Sequence, residues 1–123
     1  MPKQILIVDD SCIFRKKLRE ILGQEPGWEV CGEASNGSEG LEKVRQLQPD
    51  LVVLDLSMPG MNGLDMAEEI NQILPDLPLL LFTNYDANSL KREGLFAGVR
   101  KTLSKSEPVG TLIKSIHGLL DVA

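Results

Sequence analysis

Polar side chains that could do chemistry stand at the ends of four predicted strands in this sequence. Three of these strands are apolar runs, at residues 5–8, 51–54 and 77–82, and the fourth, at residues 99–103, is short and unusually polar; the side chains that close or follow them are Asp9, Asp10, Asp55, Thr83 and Lys105. Apolar runs bounded by turn residues predict strands buried on both faces of a parallel sheet. Because parallel strands end at one shared edge, we expect these side chains to converge there.

Carboxylates held close together repel one another, and a divalent cation removes that repulsion. Hard oxygen ligands suit Mg²⁺, with waters completing its octahedron. Lys105 can supply a compact positive charge to Asp55, and Thr83 can donate a hydrogen bond to an incoming oxyanion. With a metal, these groups could accept a phosphoryl group, and Asp55 would be the nucleophile.

Each of these residues also has a plain structural interpretation. A Pro/Gly-rich turn directly follows Asp55, so Asp55 could simply start that turn or cap the next helix. Asp9 or Asp10 could cap the first helix. Thr83 could be an ordinary strand residue, and Lys105 a solvated surface lysine. The shared edge of the sheet favours the reactive interpretation.

The elements that must position these residues alternate between strand and helix. Apolar residues recur at helical spacing between the runs, and residues 28–32 alternate loosely as a strand near the sheet edge. The helix predicted around residues 89–97 is the weakest, because Gly94 costs about 1 kcal/mol relative to alanine. The connections are short, so the pattern predicts one domain over residues 1–123: an α/β fold with a doubly wound five-stranded parallel sheet and helices on both faces.

Composition narrows the class of protein. The 123 residues are 42% hydrophobic and 25% charged, as in ordinary globular domains. A formal net charge of −5 argues against a nucleic-acid surface on this domain alone. No apolar run approaches the roughly 20 residues of a membrane span, and the amino terminus does not resemble a signal peptide, so we expect a cytoplasmic protein without a membrane partner. Cys12 and Cys31 are predicted to be free, buried and inert.

The chain resembles a response-regulator receiver domain of two-component signalling over nearly its whole length. The matching residues are the acidic pair Asp9-Asp10, Asp55 followed by Met58-Pro59 and Gly63, Thr83, and Lys105. Residues 30–37 also resemble members whose output is a helix-turn-helix DNA-binding domain. The resemblance implies the flavodoxin-like receiver fold.

The resemblance implies that Asp55 accepts a phosphoryl group from a phosphohistidine of a sensor histidine kinase, or from a small acyl phosphate. Asp10, Asp55 and the backbone carbonyl of Ser57 would bind Mg²⁺ directly. Asp9 would act on the metal through water. The chain would catalyse only its own phosphorylation and slow dephosphorylation, and would not be an enzyme for another substrate.

The resemblance also implies a switch and its partners. Thr83 would shift toward the aspartyl phosphate, Lys105 would pair with it, and the partner surface on that side would change. Ile13 and Lys17 fall outside the apolar stripe of the first helix and beside Asp10, so we predict that they contact the kinase. A second copy of the chain is the partner expected after phosphorylation. The basic residues expected on that partner surface are Lys91, Arg92, Arg100 and Lys101.

Three positions depart from the family pattern. Thr102 stands where a tyrosine or phenylalanine usually swings inward as the threonine shifts. Asn84 follows Thr83 where a small residue is usual. Ser106 follows Lys105 where proline is frequent and the peptide bond is often cis, a conformation that costs a non-proline residue about 3–4 kcal/mol.

Other classes of protein fit less well. A receiver-fold interaction module that is never phosphorylated stays open as the alternative, because of Thr102 and Asn84. An aspartyl phosphohydrolase would place a second aspartate two residues after its nucleophile, where this chain has Ser57. A flavin carrier would need a phosphate-cradling loop where this chain has carboxylates. His117 is predicted to be a helix-surface residue and not a phosphodonor.

Overall fold

The computed structural model describes residues 1–84 and 97–121. The strands are β1 (Lys3–Val8), β2 (Trp28–Ala34), β3 (Leu51–Leu54), β4 (Leu79–Thr83) and β5 (Lys101–Ser104). The helices are α1 (Cys12–Gly23), α2 (Gly37–Leu47), α3 (Gly63–Ile73) and α4 (Val109–Leu120). The helix predicted around residues 89–97 lies, apart from its last residue, outside the described residues, as do Lys91 and Arg92. Among the helices described, none is both long and apolar enough to cross a membrane.

The five strands form one parallel sheet in the order β2-β1-β3-β4-β5. The chain runs from β1 outward to β2, then crosses back to place β3 on the other side of β1. This reversal creates a switch point between β1 and β3, the place where open α/β sheets bind their ligands. The predicted doubly wound, five-stranded parallel sheet is confirmed.

Alternate side chains along each strand belong to two apolar layers, one on each face of the sheet. Ile5 and Ile7 pack with residues of α1 and α4, whereas Leu6 and Val8 pack with residues of α2 and α3. Both layers contain fully buried branched side chains, as expected for a parallel sheet covered on both faces. The sheet is therefore held rigidly, and its carboxyl edge is a stable base for a site.

Short polar side chains begin three of the helices. Ser11 Oγ accepts a hydrogen bond from the Phe14 N–H at 3.2 Å, and Asn36 and Asn62 cap α2 and α3 in the same way. Because Ser11 caps α1, neither Asp9 nor Asp10 is needed as its cap. The carboxylates before α1 are therefore available for another role.

The two cysteines are free, as predicted, but only one of them is even partly buried. Cys12 is exposed at the start of α1, which contradicts the expectation that it is buried. It stands in the first turn, directly after the cap, on a side of the helix that faces solvent. Cys31 is half-buried in β2, and its Sγ lies 3.5 Å from the Ile5 carbonyl oxygen.

Candidate functional site

Backbone hydrogen bonds extend the sheet ladder one step beyond the strand ends, and this positions the site residues. The Asp55 N–H donates to the Val8 carbonyl at 2.9 Å, which fixes the residue after β3 against the end of β1. The Lys105 N–H donates to the Thr83 carbonyl at 2.7 Å, which fixes the residue after β5 against the end of β4. Residues far apart in sequence therefore meet at one edge.

Three carboxylates gather at this edge. Asp9, Asp10 and Asp55 each offer an oxygen, and these atoms all lie within 4.8 Å of one another. Asp9 is 3% exposed and Asp55 is 7% exposed, whereas Asp10 faces solvent. An acidic cluster with one open side is a donor set that fits a hard divalent cation.

Asp9 is held by contacts on both carboxylate oxygens. Its Oδ1 accepts from the Ser11 N–H at 2.9 Å, and its Oδ2 accepts from the Lys105 ammonium at 2.7 Å. Arg15 donates to the Asp9 backbone carbonyl at 2.6 Å and pairs with Glu33 of β2 at 3.1 Å. The turn that carries Asp9 and Asp10, called the acidic turn below, is therefore bonded to both α1 and β2.

Asp55 lies in a place that disfavours a negative charge. Its Oδ1 accepts from the Leu56 N–H at 2.9 Å. Burial raises the pKa of Asp55 above its ordinary value; the charge of Lys105 opposes that rise, and the negative charges of Asp9 and Asp10 add to it. The ionised form of Asp55 is thus destabilised in the folded protein, and a bound cation would relieve this.

Lys105 bridges the two buried aspartates. Its ammonium is 2.7 Å from Asp9 Oδ2 and 3.6 Å from Asp55 Oδ1, so the closer partner is Asp9, although the sequence pointed to Asp55. The side chain is 9% exposed, and its ammonium also lies 4.0 Å from the centre of the Phe14 ring. Lys105 is therefore part of the site and not a solvated surface lysine.

The other predicted site residues occupy the same edge or the loop beside it. Thr83 is fully buried at the end of β4, and Asn84 follows it on the surface. Ser57 is exposed in the loop between β3 and α3. The roles assigned to Thr83 and Ser57 stay predictions.

Gly63 lets the loop after Asp55 close on itself. Its N–H donates to the Leu56 carbonyl at 2.9 Å, so α3 begins in contact with the residues that follow β3. A Cβ at this position would collide with the Asp55 backbone carbonyl oxygen. In the sequence, Gly63 is only a marker of the family. In the structure, the absence of a side chain at Gly63 lets two backbone segments approach each other closely.

Two residues that sequence reasoning left out of the site contact it directly. Phe14 reads as part of the apolar stripe of α1, and Arg15 as a surface cation, yet Phe14 contacts the Lys105 ammonium and Arg15 contacts the Asp9 carbonyl. The signal in the sequence that could have found them is the position of α1. Because α1 starts directly after the acidic turn, side chains of its first turns that point toward the sheet must reach the carboxyl edge of the sheet.

The departures from the family pattern have local structural descriptions. Thr102 is buried in β5, opposite Leu81. The described residues contain no cis peptide bond, so the Lys105–Ser106 bond is trans. Ser106 instead forms a hydroxyl pair with Ser104 at 2.7 Å.

His117 lies away from the acidic cluster, in the last turn of α4. Its Nε2 is 3.4 Å from Glu25, and its ring centre is 4.4 Å from that of Trp28. The side chain is half-exposed and contacts the start of β2, at the opposite edge of the sheet from Asp55. This location agrees with its prediction as a helix-surface residue.

Comparison with known proteins identifies the family. Residues 5–117 match the response regulator receiver domain. The chain is 34% identical to the chemotaxis protein CheY of Thermotoga maritima over 95% of this chain and 97% of that protein. It is 33% identical to the nitrate/nitrite response regulator NarL of Escherichia coli over 94% of this chain and 54% of that protein. The chain therefore belongs to the response regulator receiver domain family.

Solved structures confirm the receiver fold. A LuxR-family two-component response regulator from Aurantimonas sp. SI85-9A1 superposes with a TM-score of 0.93 at 29% identity, over 98% of this chain and 86% of that one. A CheY-like receiver domain protein from Methanospirillum hungatei superposes with a TM-score of 0.90 at 28% identity, over 98% of this chain and 95% of that one. The chain spans 97% of the length of the chemotaxis protein CheY and 54% of the length of NarL.

Proposed function

We propose that this chain is a phosphoacceptor in which Asp55 takes a phosphoryl group with the help of Mg²⁺. The observation that carries the proposal is the meeting of three carboxylates within 4.8 Å beside a nearly buried lysine. Membership of the receiver family supports it independently. The proposed unit is one receiver domain over residues 1–123, acting as a timed signal and not as an enzyme for another substrate.

Asp10, Asp55 and the Ser57 carbonyl are the proposed direct ligands of Mg²⁺. The exposure of Asp10 supports entry of a hydrated ion from the solvent side. Asp9 already has a partner at each carboxylate oxygen, which supports its action on the metal through water. When bound, the cation would supply positive charge to the carboxylates and to the phosphoryl oxygens.

Asp55 would attack the phosphorus atom and form a new P–O bond as the bond from phosphorus to the donor breaks. With a phosphohistidine donor the P–N bond breaks, and the imidazole leaves with a proton. Lys105, already 3.6 Å from Asp55 Oδ1, would offset charge on the transferred group. Thr83, at the end of the neighbouring strand, would donate a hydrogen bond to a phosphoryl oxygen.

The deciding experiment is incubation with acetyl phosphate and Mg²⁺, followed by intact mass. The expected result is a gain of one phosphoryl group in the wild type and no gain in Asp55→Asn. Chelation of Mg²⁺ should abolish the gain. Absence of any gain in the wild type with metal present would overturn the proposal.

The proposed donor is a sensor histidine kinase in the cytoplasm that docks on α1. Ile13 is 84% exposed, and Lys17 is also exposed on this helix. An exposed isoleucine beside a reactive carboxylate is a suitable apolar contact for a partner. Ile13→Ala should slow transfer from the kinase while leaving phosphorylation by acetyl phosphate unchanged; equal slowing of both would contradict a docking role.

The proposed consequence of phosphorylation is association with a second copy of the chain through the β5 side. Arg100 and Lys101 are exposed there, whereas Lys91 and Arg92 lie outside the described residues. Size-exclusion elution before and after phosphorylation tests this. An unchanged elution volume would count against a dimer switch.

The alternative function is an interaction module that is never phosphorylated. The observation that favours it is Thr102, which is buried where the family usually carries an aromatic switch residue. The same mass experiment separates the two. A module of this kind would show no mass gain, and its partner binding would be unaffected by Asp55→Asn.

A further inference from the structure

The ammonium of Lys105 lies over an aromatic ring as well as between two carboxylates. Its Nζ is 4.0 Å from the centre of the Phe14 ring. That ring is itself braced by Phe82 of β4, with centres 5.7 Å apart and planes tilted by 46°. Phe14 is half-buried at the junction of α1 and the sheet. The ring therefore packs against the sheet on one side and contacts the Lys105 ammonium as well.

The ring and the carboxylates act on Lys105 in different ways. The carboxylates attract its charge from one side, at 2.7 Å for Asp9 and 3.6 Å for Asp55. The face of an aromatic ring carries partial negative charge, and its attraction for an ammonium grows when the pair is shielded from water. With only 9% of the Lys105 side chain exposed, this pair is largely shielded. The ring adds attraction without adding a formal negative charge near Asp55.

We propose that Phe14 is a positioning residue that holds the Lys105 ammonium in the site before the phosphoryl group arrives. The proposal rests on the function proposed above for Asp55. A lysine side chain has many rotamers, and an unconstrained Lys105 would have to be ordered during the reaction. Phe14 would order it beforehand, because its ring restricts the ammonium to the region between Asp9 and Asp55.

Graded fluorination of the Phe14 ring separates this electrostatic role from packing. Mono-, di- and trifluorinated phenylalanines keep almost the same shape while withdrawing charge progressively from the ring face. We expect the rate of phosphorylation by acetyl phosphate with Mg²⁺ to fall with each added fluorine, by about tenfold over the series. The same series at Phe82, which packs on Phe14, is the matched control and should leave the rate unchanged.

Substitutions of Phe14 by standard amino acids give a second comparison. Phe14→Tyr keeps an aromatic face and should retain the rate, whereas Phe14→Leu keeps an apolar side chain and should slow it about tenfold. Thermal unfolding of each variant reports any loss of packing. A flat fluorination series, or equal rates for the Tyr and Leu variants, would overturn the positioning role.

A readout without phosphate or metal keeps this inference distinct from the function proposed for Asp55. Protons next to the Lys105 ammonium should show an upfield ring-current shift in the NMR spectrum of the wild type, retained in Phe14→Tyr and lost in Phe14→Leu. If the wild type is phosphorylated but lacks this shift, the positioning role of Phe14 is wrong. If the shift is present but neither the wild type nor any variant is phosphorylated, the function proposed for Asp55 is wrong. The contact of Phe14 with Lys105 would then have no effect on phosphorylation.

Discussion

Lys105 is paired more closely with Asp9 than with Asp55, at 2.7 Å against 3.6 Å. The difference matters because the lysine is expected to serve whatever is attached to Asp55. In the state described, its ammonium offsets the charge of the acidic pair and only partly that of the phosphoacceptor candidate. A short shift of one side chain, without backbone movement, would transfer its closest contact from Asp9 to a group on Asp55.

Asp55→Asn should stabilise the metal-free protein at neutral pH by about 1 kcal/mol, the size of a typical single-site effect. The pKa of Asp55 is raised above its ordinary 3.8 in the folded state, so the folded protein binds this proton more readily than the unfolded chain does. The ionised carboxylate therefore destabilises the fold at pH values above the folded pKa. As pH falls through that pKa toward 3.8, the penalty disappears, and so should the advantage of asparagine.

Urea unfolding of the wild type and Asp55→Asn across this pH range, with a chelator present, measures the effect. Asp76→Asn, which changes an exposed aspartate in the turn before β4 at the opposite edge of the sheet, is a control for the loss of one negative charge. A stabilisation by Asp55→Asn that does not shrink on acidification would contradict the interpretation.

Mg²⁺ should stabilise the wild type, and Asp10→Asn should abolish this response while leaving the metal-free stability nearly unchanged. Asp10 is exposed, so its loss removes a proposed ligand and little packing. Mass action predicts stabilisation by about 2.7 kcal/mol at a concentration one hundred times the Kd. Thermal unfolding against Mg²⁺ concentration checks this, and a full Mg²⁺ response in Asp10→Asn would rule out Asp10 as a ligand.

Gly63→Ala should destabilise the protein by about 1–3 kcal/mol, the usual range for overpacking. Its new methyl group would collide with the Asp55 carbonyl oxygen, which belongs to the backbone and cannot rotate away. We expect the loop after β3 to shift and phosphorylation to slow. Urea unfolding and the acetyl phosphate reaction measure the two effects.

Gly118→Ala is the matched control, because a Cβ at that position of α4 meets nothing within 4 Å. Alanine there should stabilise the helix by about 0.5–1 kcal/mol. If both alanine variants behaved alike, the close approach at Gly63 would not be the cause.

Arg15→Ala should slow phosphorylation more than Arg19→Ala does. Both arginines pair with Glu33, at 3.1 and 2.6 Å, but Arg15 also donates to the Asp9 carbonyl at 2.6 Å. Arg15→Ala should cost more stability than Arg19→Ala, because the Arg15 side chain is only 15% exposed and also loses the bond to Asp9, whereas Arg19 is 49% exposed and its pair with Glu33 should contribute at most about 1 kcal/mol. Only Arg15→Ala should alter the acidic turn, so the phosphorylation rate is the comparison that tests the Asp9 contact. Equal phosphorylation rates in the two variants would show that the Asp9 contact has no functional effect.

Sequence alone was sufficient for the architecture and for the convergence at the site. Apolar runs alternating with helical stripes favour a parallel sheet, and a parallel sheet brings Asp9, Asp55 and Lys105 to one edge whatever the detailed packing. These inferences succeed because they depend on the direction of the strands and not on individual rotamers. The same reasoning fails for Cys12, whose burial depends on where the first turn of α1 stands relative to the sheet.

Only the tertiary structure decided how the site side chains contact one another. The periodicity of α1 puts Phe14 on its apolar face, but the position of that face over Lys105 depends on how the helix packs on the sheet. The pairing of Lys105 with Asp9, and the need for glycine at position 63, depend on rotamers and on the path of a loop. The Lys105 ammonium lies 2.7 Å from Asp9 and 3.6 Å from Asp55, and a pattern of residue types carries no information at that scale.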